Sequence, residues 1–316
     1  MRETVPTLAP EVIVAIPTFR RPLALKRLLE ALEKLETTAK IIVVVADNDA
    51  VSHAGYDLCR EISGHYRWPL DPIVAENRGI AQVRNALVER ALGYPDAAFV
   101  AMLDDDEWPS PQWLDELLAV QRQTKADVVE GSILFERADG SPVLETGFDG
   151  VSSMRRPTGP TPMLEGAGNL LITRNCLESL AAPWFDPAFA LTGGEDRDFF
   201  ERVKAAGGHF AWADAGLAFT SVPVLRQSLA WVFKRAYGIG NSEMRIFLKY
   251  RPSFAAQLKE YGKITAALLA MPLFGLVMLV SPRRAADIWR RVFRNAGKLA
   301  ALAGVTHQAY AVTHGE

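Results

Sequence analysis

The sequence predicts an α/β protein built on a doubly wound, mostly parallel β-sheet that is flanked by helices. Short apolar runs rich in β-branched residues alternate, over the first half of the chain, with segments in which apolar residues recur at helical spacing. These runs are apolar throughout, as strands buried on both faces of a parallel sheet are. The chain has 316 residues, 49% of them hydrophobic, which is enough for one large domain or two modest ones.

The elements follow from this alternation. A first strand ends at Pro17, and Pro22 suits the first turn of the helix after it. Residues 137–163 contain several glycines and prolines without a clear period and predict a long loop. The predicted strands are 12–16, 41–45, 98–103, 128–135 and 169–173, and the predicted helices are 22–36, 52–63, 80–92, 111–124, 195–206 and 228–247.

Polar residues follow the predicted strands where ligands bind in such sheets, beyond the carboxyl ends. Thr18 follows the first strand, Asp47 follows the second, and Asp104 to Glu107 follow the third. Four adjacent acids repel one another unless a cation neutralises them, and carboxylate oxygens suit Mg²⁺ or Mn²⁺. The alternative for the acidic run is a solvated loop or the acidic first turn of the helix that follows.

Two further segments suggest chemistry. Gly193-Gly194 precede Glu195-Asp196 at a helix start, where a carboxylate could take a proton from an attacking hydroxyl; the alternative is a helix with a favourable N-terminal charge. Residues 76–79 together with Arg84 and Asn85 could contact a nucleotide, or could lie on an ordinary surface helix.

In order and spacing, these segments resemble the family 2 glycosyltransferases, which have the GT-A fold. The matching residues run in family order over positions 12 to about 205. They are Ile16-Pro17-Thr18-Phe19-Arg20-Arg21, Val43 to Asn48, Asn77 to Ile80, Arg84-Asn85-Ala86, Leu103 to Glu107, Gly168-Asn169 and Gly194-Glu195-Asp196. The segment from Arg235 to Gly240 and the hydrophobic C-terminal part resemble bacterial members that assemble exopolysaccharides such as succinoglycan.

The resemblance implies a role for each matching residue. Asp196 would be the catalytic base, with Glu195 beside it. Asp106 and Asp104 would bind the metal, Mg²⁺ or Mn²⁺. Asp105, Gly168 and Asn169 would lie at the donor sugar, and Arg235 would lie on the phosphate or acceptor side. The residues implied to bind the nucleotide are Pro17, Thr18, Arg20, Asp47, Asn77, Arg84, Asn85 and Asp104.

The implied reaction is a single displacement that inverts the anomeric centre, with a nucleotide-diphosphate sugar, most often a UDP-sugar, as donor. Two departures from the family qualify it. Residues 218–223 lack the histidine that completes the metal site in many relatives. Only Arg235 matches the signature of processive members, which predicts transfer of one sugar per acceptor.

The C-terminal part predicts contact with a membrane. Residues 264–280 carry no charge, and arginines at 283, 284, 290, 291 and 294 follow them. Residues 285–304 read as a basic amphipathic helix. The alternative is that both segments pack on the catalytic domain. We therefore expect a catalytic domain at 1–225, a helical acceptor-side extension at 226–262 and a membrane-associating segment at 263–316.

Composition excludes some functions and leaves two rivals. A net charge of −2 gives no global basic field, so we expect no nucleic-acid partner. The absence of a signal-peptide pattern near residue 1 predicts a cytoplasmic chain at the inner face of the plasma membrane, where a lipid-linked glycan is the expected acceptor. The rivals are a sugar nucleotidyltransferase, which typically has a glycine-rich loop after the first strand, and a catalytically silent nucleotide-sugar binder.

Overall fold

The computed structural model describes residues 11–136, 155–221, 228–269 and 282–309. Most of the predicted loop at 137–163 and most of the apolar run at 264–280 lie outside these residues. The strands are β1 (Glu11–Thr18), β2 (Lys40–Asp47), β3 (Leu70–Val74), β4 (Ala97–Leu103), β5 (Glu107–Pro109), β6 (Val128–Glu136), β7 (Gly159–Thr161), β8 (Asn169–Thr173) and β9 (Phe210–Ser221). The helices are α1 (Pro22–Leu32), α2 (Ala54–Ile62), α3 (Ile80–Leu92), α4 (Trp113–Thr124), α5 (Arg174–Ser179), α6 (Glu195–Ala205), α7 (Leu229–Lys249), α8 (Phe254–Leu269) and α9 (Pro282–Leu302).

All the described strands join one sheet in the order β3-β2-β1-β4-β8-β6-β9-β5, with β7 also paired to β9. The first four strands are parallel, which confirms the doubly wound half that the sequence predicts. Beyond them the sheet is mixed, because β8 runs antiparallel to both β4 and β6. The parallel half therefore collects the ends of β1, β2 and β4 at one edge of the sheet.

Alternation along β1 explains how both faces of the sheet are buried. Val12, Val14 and Ile16 belong to the hydrophobic core that contains the buried leucines of α1 and α4. Ile13 and Ala15 belong to the core on the opposite face, with the buried residues of α3 and α6. Because each strand residue faces one of two helical layers, no polar position is left within the strand, and polar side chains come only where it ends.

Four of the described strands were not predicted, namely β3, β5, β7 and β9. β3 contains Asp71 and Pro72 and lies at an edge of the sheet, where proline is tolerated because one side of the strand needs no partner. β9 is built largely from small residues, so its apolar signal is weak, yet it pairs with β5, β6 and β7. Tertiary pairing therefore supplied strands that local pattern did not indicate.

The C-terminal helices pack closely on one another. The backbone of Arg294 on α9 occupies the space that a Cβ on Gly240 of α7 would need. In the same way, the backbone of Tyr237 on α7 occupies the space that a Cβ on Gly297 of α9 would need. The buried Asn241 fixes this contact, since its Nδ2 donates to the carbonyl of Val305 at 2.8 Å. Among the helices that the structure describes, none combines the length and the hydropathy needed to cross a membrane.

Candidate functional site

Asp105, a buried acid after β4, links the carboxyl ends of β1 and β4. Thr18 Oγ1 donates to Asp105 Oδ2 over 2.9 Å, and the guanidinium of Arg21 lies 3.1 Å from carboxylate oxygens of both Asp105 and Asp106. Asp105 is only 6% exposed. Asp105, predicted at the donor sugar, thus ties two strand ends together, while Asp104 and Asp106 point to more open positions.

Arg84 joins the two halves of the site. Its side chain is buried on α3 and donates to Asp104 Oδ1 at 2.9 Å and to Glu195 Oε1 at 2.5 Å. Glu195 Oε2 is buried and has no hydrogen-bond partner among the residues that the structure describes. One guanidinium therefore holds the end of β4 against the first turn of α6, where the predicted catalytic acids lie.

The turn before α6 needs its glycines. Gly193 and Gly194 adopt positive φ angles of 74° and 96°, which favour glycine. Ser242 of α7 donates to the carbonyl of Gly193 over 2.9 Å, and a Cβ on Gly194 would lie 2.9 Å from the Cβ of Ser242. The backbone thus approaches α7 closely, and Glu195 and Asp196 follow directly at the helix start.

Asp196 is half-buried, and the loop that contains Gly166 comes close to it. Its Oδ1 accepts a hydrogen bond from the amide of Arg197 at 2.7 Å, and a Cβ on Gly166 would lie 3.8 Å from its Oδ2. The buried carboxylate of Glu130 on β6 fixes this loop by accepting from the amides of Glu165 at 2.7 Å and Gly166 at 3.2 Å.

Burial shifts the acids of the site towards their protonated forms. It raises the pKa of Asp105 to about 7, against the opposing charge of Arg21. It raises the pKa of Glu195 to about 8, with a further contribution from the charge of Asp196. The pKa of Asp196 is raised for the same first reason, and Arg84 opposes the shift. A carboxylate with a raised pKa is a better proton acceptor, which is the property that a general base needs.

Gly168 makes room for Glu107 rather than facing open space. A Cβ at this position would lie 2.5 Å from Glu107 Oε1. The Glu107 carboxyl is buried, which raises its pKa, and its Oε2 accepts from the amide of Asp104 at 3.4 Å. Gly168 therefore supports the turn that presents Asp104 and Asp106.

On the nucleotide side, Pro17 is buried within β1, Asn77 is exposed, and Arg20 binds Asp49 at 2.7 Å. That bond from Arg20 holds the pKa of Asp49 well below its usual range. Asp47 is buried, and its Oδ2 accepts from the amides of Gly55 and Tyr56 at the start of α2.

Three predicted site residues have their side chains engaged elsewhere. The amide of Asn85 exchanges two hydrogen bonds with the backbone of Phe185. Asn169 is fully buried. Its side chain accepts from Trp113 Nε1 and donates to the carbonyls of Ser132 and Gly216, so it holds the sheet together. Arg235 is exposed on α7, with its guanidinium 5.3 Å from the ring of Trp231.

Among the described residues at the end of β4, the carboxylates of Asp104 and Asp106 are the ones open to a divalent cation. Asp104 and Asp106 keep 35% and 30% of their side chains exposed. Among the residues that the structure describes, no group of three or more histidines, cysteines or acids could hold a metal. Arg21 and Arg84, together with the raised pKa values of Asp105 and Glu107, already relieve the repulsion that the acidic run predicts. Two accessible hard oxygen ligands still suit a cation whose coordination water or phosphate completes.

Sequence reasoning gave no individual role to three residues of this cluster, namely Arg21, Glu107 and Glu130. Arg21 stands beside the predicted Arg20, and Glu107 ends the acidic run, so their positions carried a signal. Glu130 sits within an apolar strand, where a charged residue is rare unless it has partners. A charged residue within an apolar strand was therefore the signal that could have identified Glu130 in the sequence.

Comparisons with known proteins match this architecture. The model of glycosyl transferase family 2 matches residues 13–156. Succinoglycan biosynthesis protein ExoM of Rhizobium meliloti (strain 1021) is 29% identical over 235 residues, which cover 74% of each chain.

Two solved structures share the fold. Mannosyltransferase PcManGT from Pyrobaculum calidifontis, in complex with GDP-Man and Mn²⁺, aligns with a TM-score of 0.63 and 18% identity, over 94% of this chain and 88% of that one. S. aureus TarS 1-349 aligns with a TM-score of 0.52 and 16% identity, over 93% and 92%. At such identities the structural likeness establishes the fold alone, which is GT-A.

Proposed function

We propose that this chain, a glycosyltransferase whose residues 13–156 match the model of glycosyl transferase family 2, moves a single sugar from a UDP-sugar to a lipid-linked glycan, with inversion at the anomeric carbon. The observation that carries this proposal is the link that Arg84 makes between Asp104 and Glu195. It brings the acids at the strand end together with the acid pair of α6, as a reaction between a bound donor and an acceptor requires.

In the proposed reaction, Asp196 takes the proton of the acceptor hydroxyl. The acceptor oxygen forms a bond to the anomeric carbon as the bond from that carbon to the donor phosphate breaks, and the nucleoside diphosphate leaves with the electron pair. Asp196 has the half-buried position and raised pKa of a base. Glu195, buried against Arg84, is placed to orient this turn.

A divalent cation, Mg²⁺ or Mn²⁺, would be held by Asp104 and Asp106. When bound, it would supply a positive charge that stabilises the leaving diphosphate. The two partly exposed carboxylates support this assignment. PcManGT, the fold relative described above, was solved with Mn²⁺.

The donor is proposed to lie over β1 and β2, beside Thr18, Arg20 and Asp47. Relatives of the fold were solved with different nucleotide sugars: TarS 1-349 with UDP-GlcNAc, and PcManGT with GDP-Man. The family resemblance gives Asp47 the contact with the base, which is most often uracil. We therefore propose uridine, with the sugar to be determined by assay.

The acceptor is proposed to be membrane-bound at the cytoplasmic face. On α8, the side chains of Phe254, Leu258 and Leu269 are 81%, 62% and 76% exposed. They lie within about 60° of one another around the helix, at 3.6 residues per turn, and so form one apolar stripe. An exposed apolar stripe of this kind is typical of a helix that lies in a membrane interface. The likeness to ExoM, a succinoglycan biosynthesis protein, supports a role in cell-surface polysaccharide assembly.

The test is release of nucleoside diphosphate from a panel of UDP- and other nucleotide sugars, with membranes as acceptor source and Mg²⁺ or Mn²⁺ present. We expect turnover of one donor by the wild type and loss of turnover in both Asp106→Ala and Asp196→Asn. Arg90→Lys, which changes an exposed residue paired with Asp71, is the control and should behave as the wild type. Binding of UDP without turnover of any donor would contradict the proposal.

A further inference from the structure

A cavity of about 320 Å³ lies between α8 and α9. It is lined by Ala267, Arg291, Val292, Arg294, Asn295 and Lys298. Every charged side chain in this lining is a cation, and Asn295 adds an amide. The volume is at the lower end of the range for small-molecule pockets, about 300–1,000 Å³. Such a cavity suits a small anionic group better than a whole glycan.

Two of the cations are held in place by carboxylates. Arg294 binds Glu243 of α7, and Lys298 binds Glu260 of α8 at 2.5 Å. Ordered cations lose little conformational entropy when a ligand binds. Because these carboxylates offset the charges of Arg294 and Lys298, the exposed Arg291 supplies the net positive charge of the lining. Guanidinium groups bind phosphate oxygens through paired hydrogen bonds, so a phosphate is the anion that this lining favours.

The residue of α8 that lines the cavity, Ala267, lies away from the apolar stripe of that helix. At about 100° per residue, Ala267 lies on the opposite side of α8 from Phe254. Glu243, the partner of Arg294, follows Ser242 on α7, and the Ser242 hydroxyl donates to the carbonyl of Gly193 in the turn before Glu195 and Asp196. One helix, α7, thus contacts both the lining of the cavity and the turn that carries the proposed base.

We propose that this cavity binds the phosphate groups of the lipid-linked acceptor and so presents the acceptor glycan to Asp196. The inference rests on the proposed function and names the chemistry of its acceptor, a lipid phosphate or diphosphate. The headgroups of the surrounding bilayer carry the same chemistry, and the vesicle compositions of the test separate the two sources.

The test measures binding of the full-length protein to vesicles. The compositions are phosphatidylcholine alone, phosphatidylcholine with phosphatidylglycerol, and phosphatidylcholine with a polyprenyl diphosphate. The variant is Arg291→Gln, and its matched control is Arg290→Gln, which removes the same charge from the next residue of α9, where Arg290 pairs with Asp287. Both arginines are exposed, so neither change threatens folding.

We expect Arg291→Gln to weaken binding to the diphosphate vesicles by about tenfold, beyond the roughly fivefold that one cation near a charged surface contributes. Arg290→Gln should cost less than about twofold there. Equal losses for the two variants, or equal losses of Arg291→Gln on phosphatidylglycerol and diphosphate vesicles, would mean general attraction to headgroups and would overturn the proposal. So would an absence of any gain from the diphosphate lipid.

Failure of the proposed function would look different. Binding of UDP and slow release of UDP from the donor alone do not involve the cavity, and both variants should retain them. If the wild type bound the diphosphate vesicles but turned over no donor, the cavity assignment would stand and the transferase proposal would fall. If donor turnover were intact and diphosphate binding absent, the reverse would hold.

Discussion

Arg84 is the residue on which both acid pairs depend. It is buried and contacts Asp104 and the buried Glu195. A side chain without the guanidinium group therefore leaves one of these acids without a compensating charge. Breaking a buried pair costs about 3–5 kcal/mol. We expect Arg84→Lys, which cannot bridge two carboxylates in the same geometry, to lower the unfolding free energy in denaturant titration and to abolish UDP release.

The control for Arg84→Lys is Arg90→Lys on the same helix. Arg90 pairs with Asp71 at 2.5 Å, but half of its side chain is exposed. Exposed pairs contribute about 0–1 kcal/mol. A similar loss of stability in the two variants would mean that the buried pairs of Arg84 stabilise the fold no more than an exposed pair does.

Glu130 gives the molecule a pH dependence that can be measured. Burial raises the pKa of this carboxyl to about 8, against hydrogen bonds from the amides of Glu165 and Gly166, and its ordinary value is 4.5. The folded state then binds its proton more tightly than the unfolded state, so this group's contribution to stability is complete below pH 4.5 and is lost as pH rises towards 8.

Glu130→Gln should remove that dependence. We expect the unfolding free energy of the variant, measured by denaturant titration at several pH values, to fall less than that of the wild type between about pH 5 and pH 8. If the two curves ran parallel across this window, Glu130 would ionise in the folded protein as it does in water.

At the residue scale, the sequence predicts which side chains carry chemistry better than it predicts what each one touches. The acids at 104–107 and 195–196 lie at strand and helix ends, as expected. Asp47 and Asn169 were expected at ligands, yet their polar atoms bond the backbone amides of α2 and the interior of the sheet. Residue type and spacing do not report such long-range partners, because buried polar groups take whatever donor the fold brings near.

Among the elements, the contact between α7 and α9 depends on the absence of a side chain at Gly240. A Cβ there would meet the backbone of Arg294, which cannot rotate away. We expect Gly240→Ala to force the helices apart and to lower the free energy of unfolding by about 1–3 kcal/mol, as overpacking does. A thermal melt should show this as a lower unfolding temperature.

Gly262→Ala on α8 is the matched comparison for Gly240→Ala. A Cβ at Gly262 meets nothing within 4 Å, so alanine should stabilise the helix by up to about 1 kcal/mol through propensity alone. The same sign of change in both variants would show that close helix packing is not what Gly240 provides.

Elements with a strong local pattern were predicted, and elements made by pairing were not. β1, β2 and β4 are continuous apolar runs, and the structure confirms them. Every residue of β3 is partly buried, so the strand lacks the alternation of buried and exposed residues that would have indicated a strand in the sequence. β7 has only three residues and exists through its ladder with β9. Local propensity is a weak guide to such edge strands.

For the whole molecule, the predicted boundary at residue 225 can be tested by truncation. Ser242 bonds the Gly193 carbonyl, and Lys249 pairs at 2.6 Å with Asp198, whose side chain is fully buried. A chain ending at 225 loses both contacts. We expect it to melt at a lower temperature and to release no UDP, because the turn before Glu195 loses its support from α7.

The control truncation ends at residue 309 and keeps every described helix. It should match the full chain in melting temperature and in UDP release. Full activity of the chain ending at 225 would instead make the catalytic domain self-sufficient and would leave α7 to α9 a purely acceptor-side role.

The position of β8 in the sheet has a consequence for synthesis of the chain. β4 pairs with β1 on one side and with β8 on the other, but β8 is made only when residues 169–173 emerge from the ribosome. Until then a growing chain presents an unpaired, apolar strand edge to its surroundings, which is the usual template for aggregation. Fragments that stop before residue 169 should therefore need a chaperone, whatever their content of finished helices and strands.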